Sequence, residues 1–129
     1  MENKTTKEKF AVKAFSKDYL LGQRKGKESL MNEIGIMKEL THENIMRLFE
    51  VHESQNSIYL ILELLEGGEL LDYISKNKGK MKVIEYKNIV GSILRALKYM
   101  STKNIMHRDL KPENMILKNK CSPKLTKYL

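Results

Sequence analysis

The sequence predicts an α+β chain whose second half is mostly helical, and three observations carry that reading. Short apolar runs at Lys9–Phe15, Ile45–His52 and Ser57–Leu64 have the length and composition of strands. Two longer stretches, Glu28–Leu40 and Ile84–Thr102, repeat apolar residues every three or four positions, the period of an amphipathic helix. A polar, turn-rich segment, His107–Asn114, follows the second of these. The order is therefore strand, helix, two strands, two helices, loop.

Each element has its own reason. Lys9–Phe15 (KFAVKAF) is apolar around one lysine and reads as a strand. Gly22–Lys27 reads as a basic loop. Leu30, Ile34, Met37 and Leu40 lie at spacings of 4, 3 and 3, which puts them on one face of a helix. Ile45–His52 and Ser57–Leu64 flank the polar turn Glu53–Asn56 and are predicted to form a hairpin. Gly67-Gly68 breaks the pattern before a short helix, Glu69–Lys76, and the loop Asn77–Lys80. In the long helix, Tyr86, Val90, Ile93, Leu97 and Met100 are predicted to form the packed face. Met115–Leu117 is an apolar triplet, and a ragged basic tail closes the sequence.

The bulk properties narrow the function classes. The 129 residues suit one small domain, and 41% hydrophobic with 31% charged residues favours a globular chain over a disordered one. A net charge of +8, from 24 basic and 16 acidic residues, attracts anions without choosing between nucleotide phosphates, acidic proteins and nucleic acid. The lysines are scattered rather than gathered into one block, so no nucleic-acid partner is expected. A single cysteine, Cys121, permits no intrachain disulfide and fits a cytoplasmic or nuclear compartment. No apolar signal core opens the chain, and Ile58–Leu65 is far too short to span a bilayer, so no membrane partner is expected.

The densest chemistry lies in His107-Arg108-Asp109-Leu110-Lys111-Pro112-Glu113-Asn114. Asp109 can accept a proton or orient a hydroxyl. Lys111 can neutralise a phosphate. Asn114 can offer an oxygen to a hard metal ion. Pro112 restricts the loop. Read without context, such a run is a solvated charged turn.

This octamer resembles the catalytic loop of protein kinases at every signature position, and Lys111-Pro112-Glu113 looks like the serine/threonine class. Other segments agree in order. Ala11-Val12-Lys13 matches the strand whose lysine holds the α and β phosphates of ATP. Glu33, 20 residues later, matches the helical glutamate that pairs with that lysine, which implies an ion pair within about 4 Å. Ile58–Leu65 with Glu66-Gly67-Gly68-Glu69-Leu70 resembles the last small-lobe strand and the hinge, and Thr41–Ile45 the family's segment after the helix. FAVKAFSK and ELLEGGELLDYI look most like the calcium/calmodulin-dependent and calcium-dependent protein kinase group.

The resemblance covers essentially the whole chain and implies a partial two-lobed protein-kinase-like fold. About 1–64 would be small lobe, without a Gly-rich loop, and about 65–129 the start of the large lobe through the catalytic loop. It implies ATP and Mg²⁺ as cofactors and a protein substrate. Asp109 would be the base or orienting group, Lys111 would steady the γ-phosphate and Asn114 would bind the metal. Ala11 and Ile116 would sandwich the adenine, and Leu62 would be the gatekeeper. Backbone groups of Glu63 and Leu65 would meet the adenine edge. Glu69 would face the ribose or a basic substrate residue, and Glu113 joins the nucleotide-binding set. Met37, Leu48 and His107 match members of the spine that stacks through both lobes. Arg108 would contact a phosphorylated activation loop.

Two departures stand out. No G-x-G-x-x-G precedes Lys13, where the family has a phosphate loop. The metal-binding Asp-Phe-Gly, about 13 residues after Asn114 in many kinases, aligns with Lys127-Tyr128-Leu129. The reading is a serine/threonine kinase domain truncated at both ends and inactive as an isolated polypeptide. The alternative is a catalytically dead pseudokinase or fragment acting at most as a binding module. With later large-lobe helices absent, the face of the Ile84–Thr102 helix would be open to a partner chain.

Overall fold

The computed structural model describes residues 1–119 and 122–125. The chain divides into two compact units, Met1–Glu39 with Arg47–Leu64, and Leu40–Met46 with Leu65–Leu129. Leu40–Met46 clusters with the second unit although it precedes a strand of the first.

The first unit is an antiparallel sheet with two helices. Strand β1 is Phe10–Ser16, and helices α1 (Lys17–Gly22) and α2 (Gly26–Glu39) follow it. Strands β2 (Leu48–Glu53) and β3 (Ser57–Glu63) complete a sheet of order β1-β3-β2. Lys13 lies opposite Leu60, and Val51 lies opposite the same residue from the other side. Ile58, Leu60 and Leu62 alternate along one face of β3 and are buried, as strand periodicity requires. Leu30, Ile34 and Met37 form the buried stripe of α2, the stripe that the helical spacing predicts.

Two boundaries differ from expectation. The predicted loop Gly22–Lys27 is a tight turn between two helices. Ser16 caps α1, its Oγ accepting from the Tyr19 amide at 3.5 Å, and the Gln23 and Gly26 amides close the turn on Leu20 O and Gln23 O. A β-carbon on Gly26 would stand 2.6 Å from Leu20 O, so the glycine permits the close return. The strand predicted from Ile45 begins only at Leu48. The preceding residues are drawn into a turn, with Ile45 N–H donating to His42 O at 3.1 Å and Asn44 N–H to His42 Nδ1 at 3.0 Å.

The second unit holds α3 (Leu70–Lys76), the long α4 (Val83–Thr102), a 3₁₀ turn at Pro112–Asn114 and a hairpin of β4 (Met115–Asn119) with β5 (Ser122–Leu125). The expected basic tail is therefore in part a strand pair, which alternation within so short a run does not announce. Glu85 links α3 to α4, accepting from the Tyr73 hydroxyl at 2.8 Å and from the Lys82 amide at 2.7 Å.

Helix α4 is rotated from its predicted setting. Its buried residues are Ile89, Ser92, Ala96 and Met100, whereas Tyr86 and Val90 are exposed. Of the five residues expected to pack, only Met100 is fully buried. The helix packs against β5, and the small Ser92 and Ala96 let backbone approach backbone. Ranking positions by hydrophobicity favoured the bulkier stripe beside them. Among the described residues no helix is long and apolar enough to cross a membrane.

Candidate functional site

Helix α4 ends at Thr102, and the chain turns through Asn104, whose φ of 57° lies in the left-handed region. The segment after it begins with His107, only 4% exposed. Arg108 has φ 63°, a conformation that costs a side-chain-bearing residue roughly 1 kcal/mol. The Asp109 amide donates back to His107 Nδ1 at 3.3 Å, which holds this bend. Strained backbone next to a buried histidine was not readable from the octamer.

Beyond the bend, three functional groups converge. The Asn114 side-chain amide donates to both the backbone oxygen and the Oδ2 of Asp109, each at 2.8 Å. The Lys111 ammonium lies 3.3 Å from Asp109 Oδ1. Pro112 opens the 3₁₀ turn, and the Asn114 amide closes it on Lys111 O at 2.9 Å. Proline at the first helical position suits this because it has no amide hydrogen to satisfy. The carboxylate is thus oriented by an amide on one oxygen and faced by a cation on the other. That arrangement can position a hydroxyl for attack and neutralise a nearby anion. Asn114 and Met115 are buried, Asp109 is half-buried and Lys111 and Glu113 are exposed.

The segment before α3 is fastened to β4. Gly67 N–H donates to Leu117 O at 2.9 Å, Leu117 N–H donates to Gly68 O at 2.8 Å, and Glu69 bridges Ile116. A cavity of about 150 Å³ lies at the start of α3, lined by Gly68, Glu69, Asp72, Tyr73 and Lys76 among others. Glu69 precedes α3 without a side-chain capping bond. Ile116 is half-buried.

In the first unit, Leu62 is buried in β3 and Glu63 ends the strand. The Glu63 amide donates to Arg47 O at 2.9 Å, and its Oε2 accepts from the Arg47 amide at 3.3 Å. Leu65, of the second unit, is half-buried, as is Ala11 on β1. Met37 and Leu48 are buried.

The expected ion pair between Lys13 and Glu33 is not formed; no contact within 4.0 Å joins them among the described residues. The Lys13 ammonium lies 4.9 Å from the centre of the Phe15 ring, its neighbour on the same strand face. An exposed lysine two residues from an aromatic on one face of a strand gains a local cation–π contact without ordering a second element.

Sequence reading also missed a clamp on α4. The Tyr99 hydroxyl accepts from the Thr41 amide at 3.0 Å, the His42 ring lies 5.0 Å from that of Tyr99, and Arg95 reaches Glu43 at 3.8 Å. These contacts explain why Leu40–Met46 belongs to the second unit. The tyrosine on the helix and the histidine after α2 were the available signals, but they lie far apart in the chain.

The described residues contain no group of three or more His, Cys, Asp or Glu side chains able to hold a metal ion. Asn114 spends its amide hydrogens on Asp109, so its contribution to a cation would be one neutral oxygen. Alone, this donor set does not fit a resident divalent ion, which needs about six oxygens. The Lys127-Tyr128-Leu129 alignment lies outside the described residues.

A buried histidine, a bent backbone and an aspartate held by the asparagine five residues on thus form one connected loop. The protein kinase domain family model matches residues 1–128. The chain belongs to the protein kinase domain family. Its relatives are serine/threonine kinases. It is 40% identical over 119 residues to myosin light chain kinase A of Dictyostelium discoideum, covering 92% of this chain and 39% of that protein. It is 40% identical over 110 residues to calcium/calmodulin-dependent protein kinase type 1 of Caenorhabditis briggsae, covering 85% of the chain and 30% of the relative. It is 51% identical over 89 residues to calcium-dependent protein kinase 5 of Plasmodium falciparum, covering 69% of the chain and 16% of the relative. The crystal structure of Rad53 1–466 in complex with AMP-PNP matches the fold with a TM-score of 0.87 at 32% identity, over 96% of this chain and 32% of that one. The chain thus spans well under half the length of these relatives.

Proposed function

We propose that this chain is the ATP-lysine-to-catalytic-loop portion of a serine/threonine protein kinase, which transfers the γ-phosphate of ATP to a Ser or Thr hydroxyl of a protein within a complete domain. The observation that carries the reading is the two-bond hold of Asn114 on Asp109, with Lys111 at the other carboxylate oxygen.

In this reading Asp109 accepts or orients the proton of the attacking hydroxyl, and the Asn114 bonds fix the direction in which its carboxylate faces. Lys111 offsets the charge of the transferring phosphoryl group. Phosphoryl transfer depends mainly on positioning and charge neutralisation, so these are the contributions a protein can make. Lys13 takes the α and β phosphates, with Glu33 as its partner when the two approach. The Phe15 contact is weak enough, at about 0.5–1 kcal/mol for an exposed pair, to yield to a triphosphate. Ala11 and Ile116 cover the faces of the adenine, and Leu62 stands beside it. Backbone groups of Glu63 and Leu65 are assigned to the adenine edge. Glu69 and Glu113 are assigned to the ribose side. Asn114 would offer one oxygen to Mg²⁺, an ion that would supply charge neutralisation at the phosphates and whose remaining ligands would have to come from outside these residues.

The similarity to calcium/calmodulin-dependent and calcium-dependent protein kinases supports a protein as the substrate. The second reading, a binding module without transfer, is favoured by the separation of Lys13 from Glu33 and by the exposed apolar residues of α4. Titration of the 129-residue polypeptide with a fluorescent ATP analogue, displaced by unlabelled ATP, tests the shared core of both readings. Saturable binding weakened about tenfold or more by Lys13→Ala, and little changed by Asp109→Asn, is expected. Binding indifferent to Lys13→Ala would sink the nucleotide assignment. Radiolabelled transfer to a basic peptide then separates the readings when it is assayed on a complete domain that contains this chain. Transfer lost in Asp109→Asn there is the signature of the first, whereas the 129-residue polypeptide alone is expected to be inactive.

A further inference from the structure

Two adjacent glycines sit before α3, and the structure gives them different reasons to be glycine. Gly68 has φ 78°, a left-handed conformation, yet a β-carbon placed on it would meet nothing within 4 Å. For Gly67 the reason is space. A β-carbon there would stand 2.2 Å from Leu117 O and 2.7 Å from both Leu117 C and Leu117 Cβ. Two of those atoms are backbone and cannot swing aside.

We propose that Gly67 is a positioning residue for β4, setting where Ile116 and Asn114 stand. Gly67 N–H and Leu117 O, with Leu117 N–H and Gly68 O, form a closed two-bond connection, and the Glu69–Ile116 bridge extends it by one residue. Leu117 is 0% exposed, so it cannot retreat without disturbing the core. Any side chain at position 67 therefore drives the two backbones apart. Moving the contact from 2.2 Å to the 3.0 Å that real β-carbons require displaces β4 by about 0.8 Å or more. Strand β4 begins at Met115, immediately after the asparagine that holds Asp109, so the displacement reaches the candidate catalytic loop. The ligand consequence rests on the nucleotide reading of Ile116; the displacement itself does not.

The pair of glycines supplies its own control. Gly68→Ala strains the backbone and should lower the melting temperature while leaving the folded geometry in place. Gly67→Ala should weaken binding of the fluorescent ATP analogue about tenfold at a temperature where the variant is folded, because misplacement near 1 Å is costly to a fitted site. A purely structural role would lower the melting temperature of both variants and leave both affinities alike, and that result overturns the proposal. Nucleotide-free NMR gives a second arm. Gly67→Ala should shift the Ile116 methyl and Asn114 side-chain amide resonances, and Gly68→Ala should leave them in place. Unshifted signals in Gly67→Ala overturn the proposal whether or not the chain binds nucleotide. Absence of binding by the wild type, with the shifts present, sinks the functional reading alone. Should Gly67→Ala fail to fold, amide exchange in the wild type decides. The Gly67 and Leu117 amides should open together with Met115, and much faster opening of the first two contradicts the assignment.

Discussion

Replacing Asn114 by alanine should destabilise the second unit by about 2.5 kcal/mol. Asn114 is 9% exposed, and its amide makes two bonds of 2.8 Å to Asp109. The bond to the backbone oxygen contributes about 1 kcal/mol. The bond to the carboxylate is charge-assisted and would contribute about 1.5–3 kcal/mol if buried; because the Asp109 side chain is 33% exposed, the lower end applies. For a urea slope of about 1–3 kcal/mol per molar, the unfolding midpoint should fall by roughly 0.8–2.5 M. Far-UV circular dichroism at neutral pH measures it. Asn114→Asp is the sharper companion, because it keeps the shape and sets a second carboxylate against Asp109. It should be at least as destabilising at neutral pH and should recover when acid protonates one of the pair. An alanine effect below about 0.5 kcal/mol would refute the reasoning, since a site with both bonds formed cannot lose them so cheaply.

Three further outcomes follow from the fold. Leu117→Ala should cost about 2–5 kcal/mol, read from urea midpoints, because Leu117 is wholly buried and its neighbours can close only part of the cavity. The hydrogen bond from Lys17, 2.6 Å away, and its charge hold the Glu53 carboxyl below its ordinary value of 4.5. The folded value is the lower one, so the pair's contribution is complete above the ordinary value and is lost as pH falls through the folded one. Glu53→Gln should flatten stability across that acidic window, and parallel curves for variant and wild type would contradict this. On α4, Val90→Asp should change stability by less than about 0.5 kcal/mol, since Val90 is 52% exposed, whereas Ala96→Asp, at a fully buried position, should prevent folding. Equal effects of the two, measured by thermal unfolding, would restore the predicted helix face.

Much of the fold was legible because its signals are local. The stripe Leu30, Ile34 and Met37, the hairpin around Glu53–Asn56 and the break at Gly67-Gly68 each follow from spacing within a dozen residues. Features fixed by distant partners were not. The packed face of α4 is chosen by what β5 can approach, so Ser92 and Ala96 displaced the bulkier Val90 and Tyr86. Ile45 left its predicted strand because its segment is fastened to Tyr99. Helix α1 had a readable start in Ser16 and Asp18, hidden by the glycines after it. At the candidate site, the octamer pointed to Asp109, Lys111 and Asn114 together, and they lie within bonding distance. The left-handed Arg108 and the His107 bond beneath it carried no sequence signature. Lys13 and Glu33 matched a family pair by spacing, but spacing does not decide whether a lysine prefers a carboxylate or the ring beside it.

The central claim is that the residues assigned to ATP respond to a nucleotide. Backbone and side-chain NMR of the 129-residue polypeptide, recorded as a non-hydrolysable ATP analogue is added, tests it most directly. The account predicts saturable shifts at Ala11, Lys13, Leu62, Glu63, Leu65 and Ile116 and at the Asn114 side-chain amide. Shifts confined to the scattered surface lysines, growing without saturation and vanishing with salt, would contradict it.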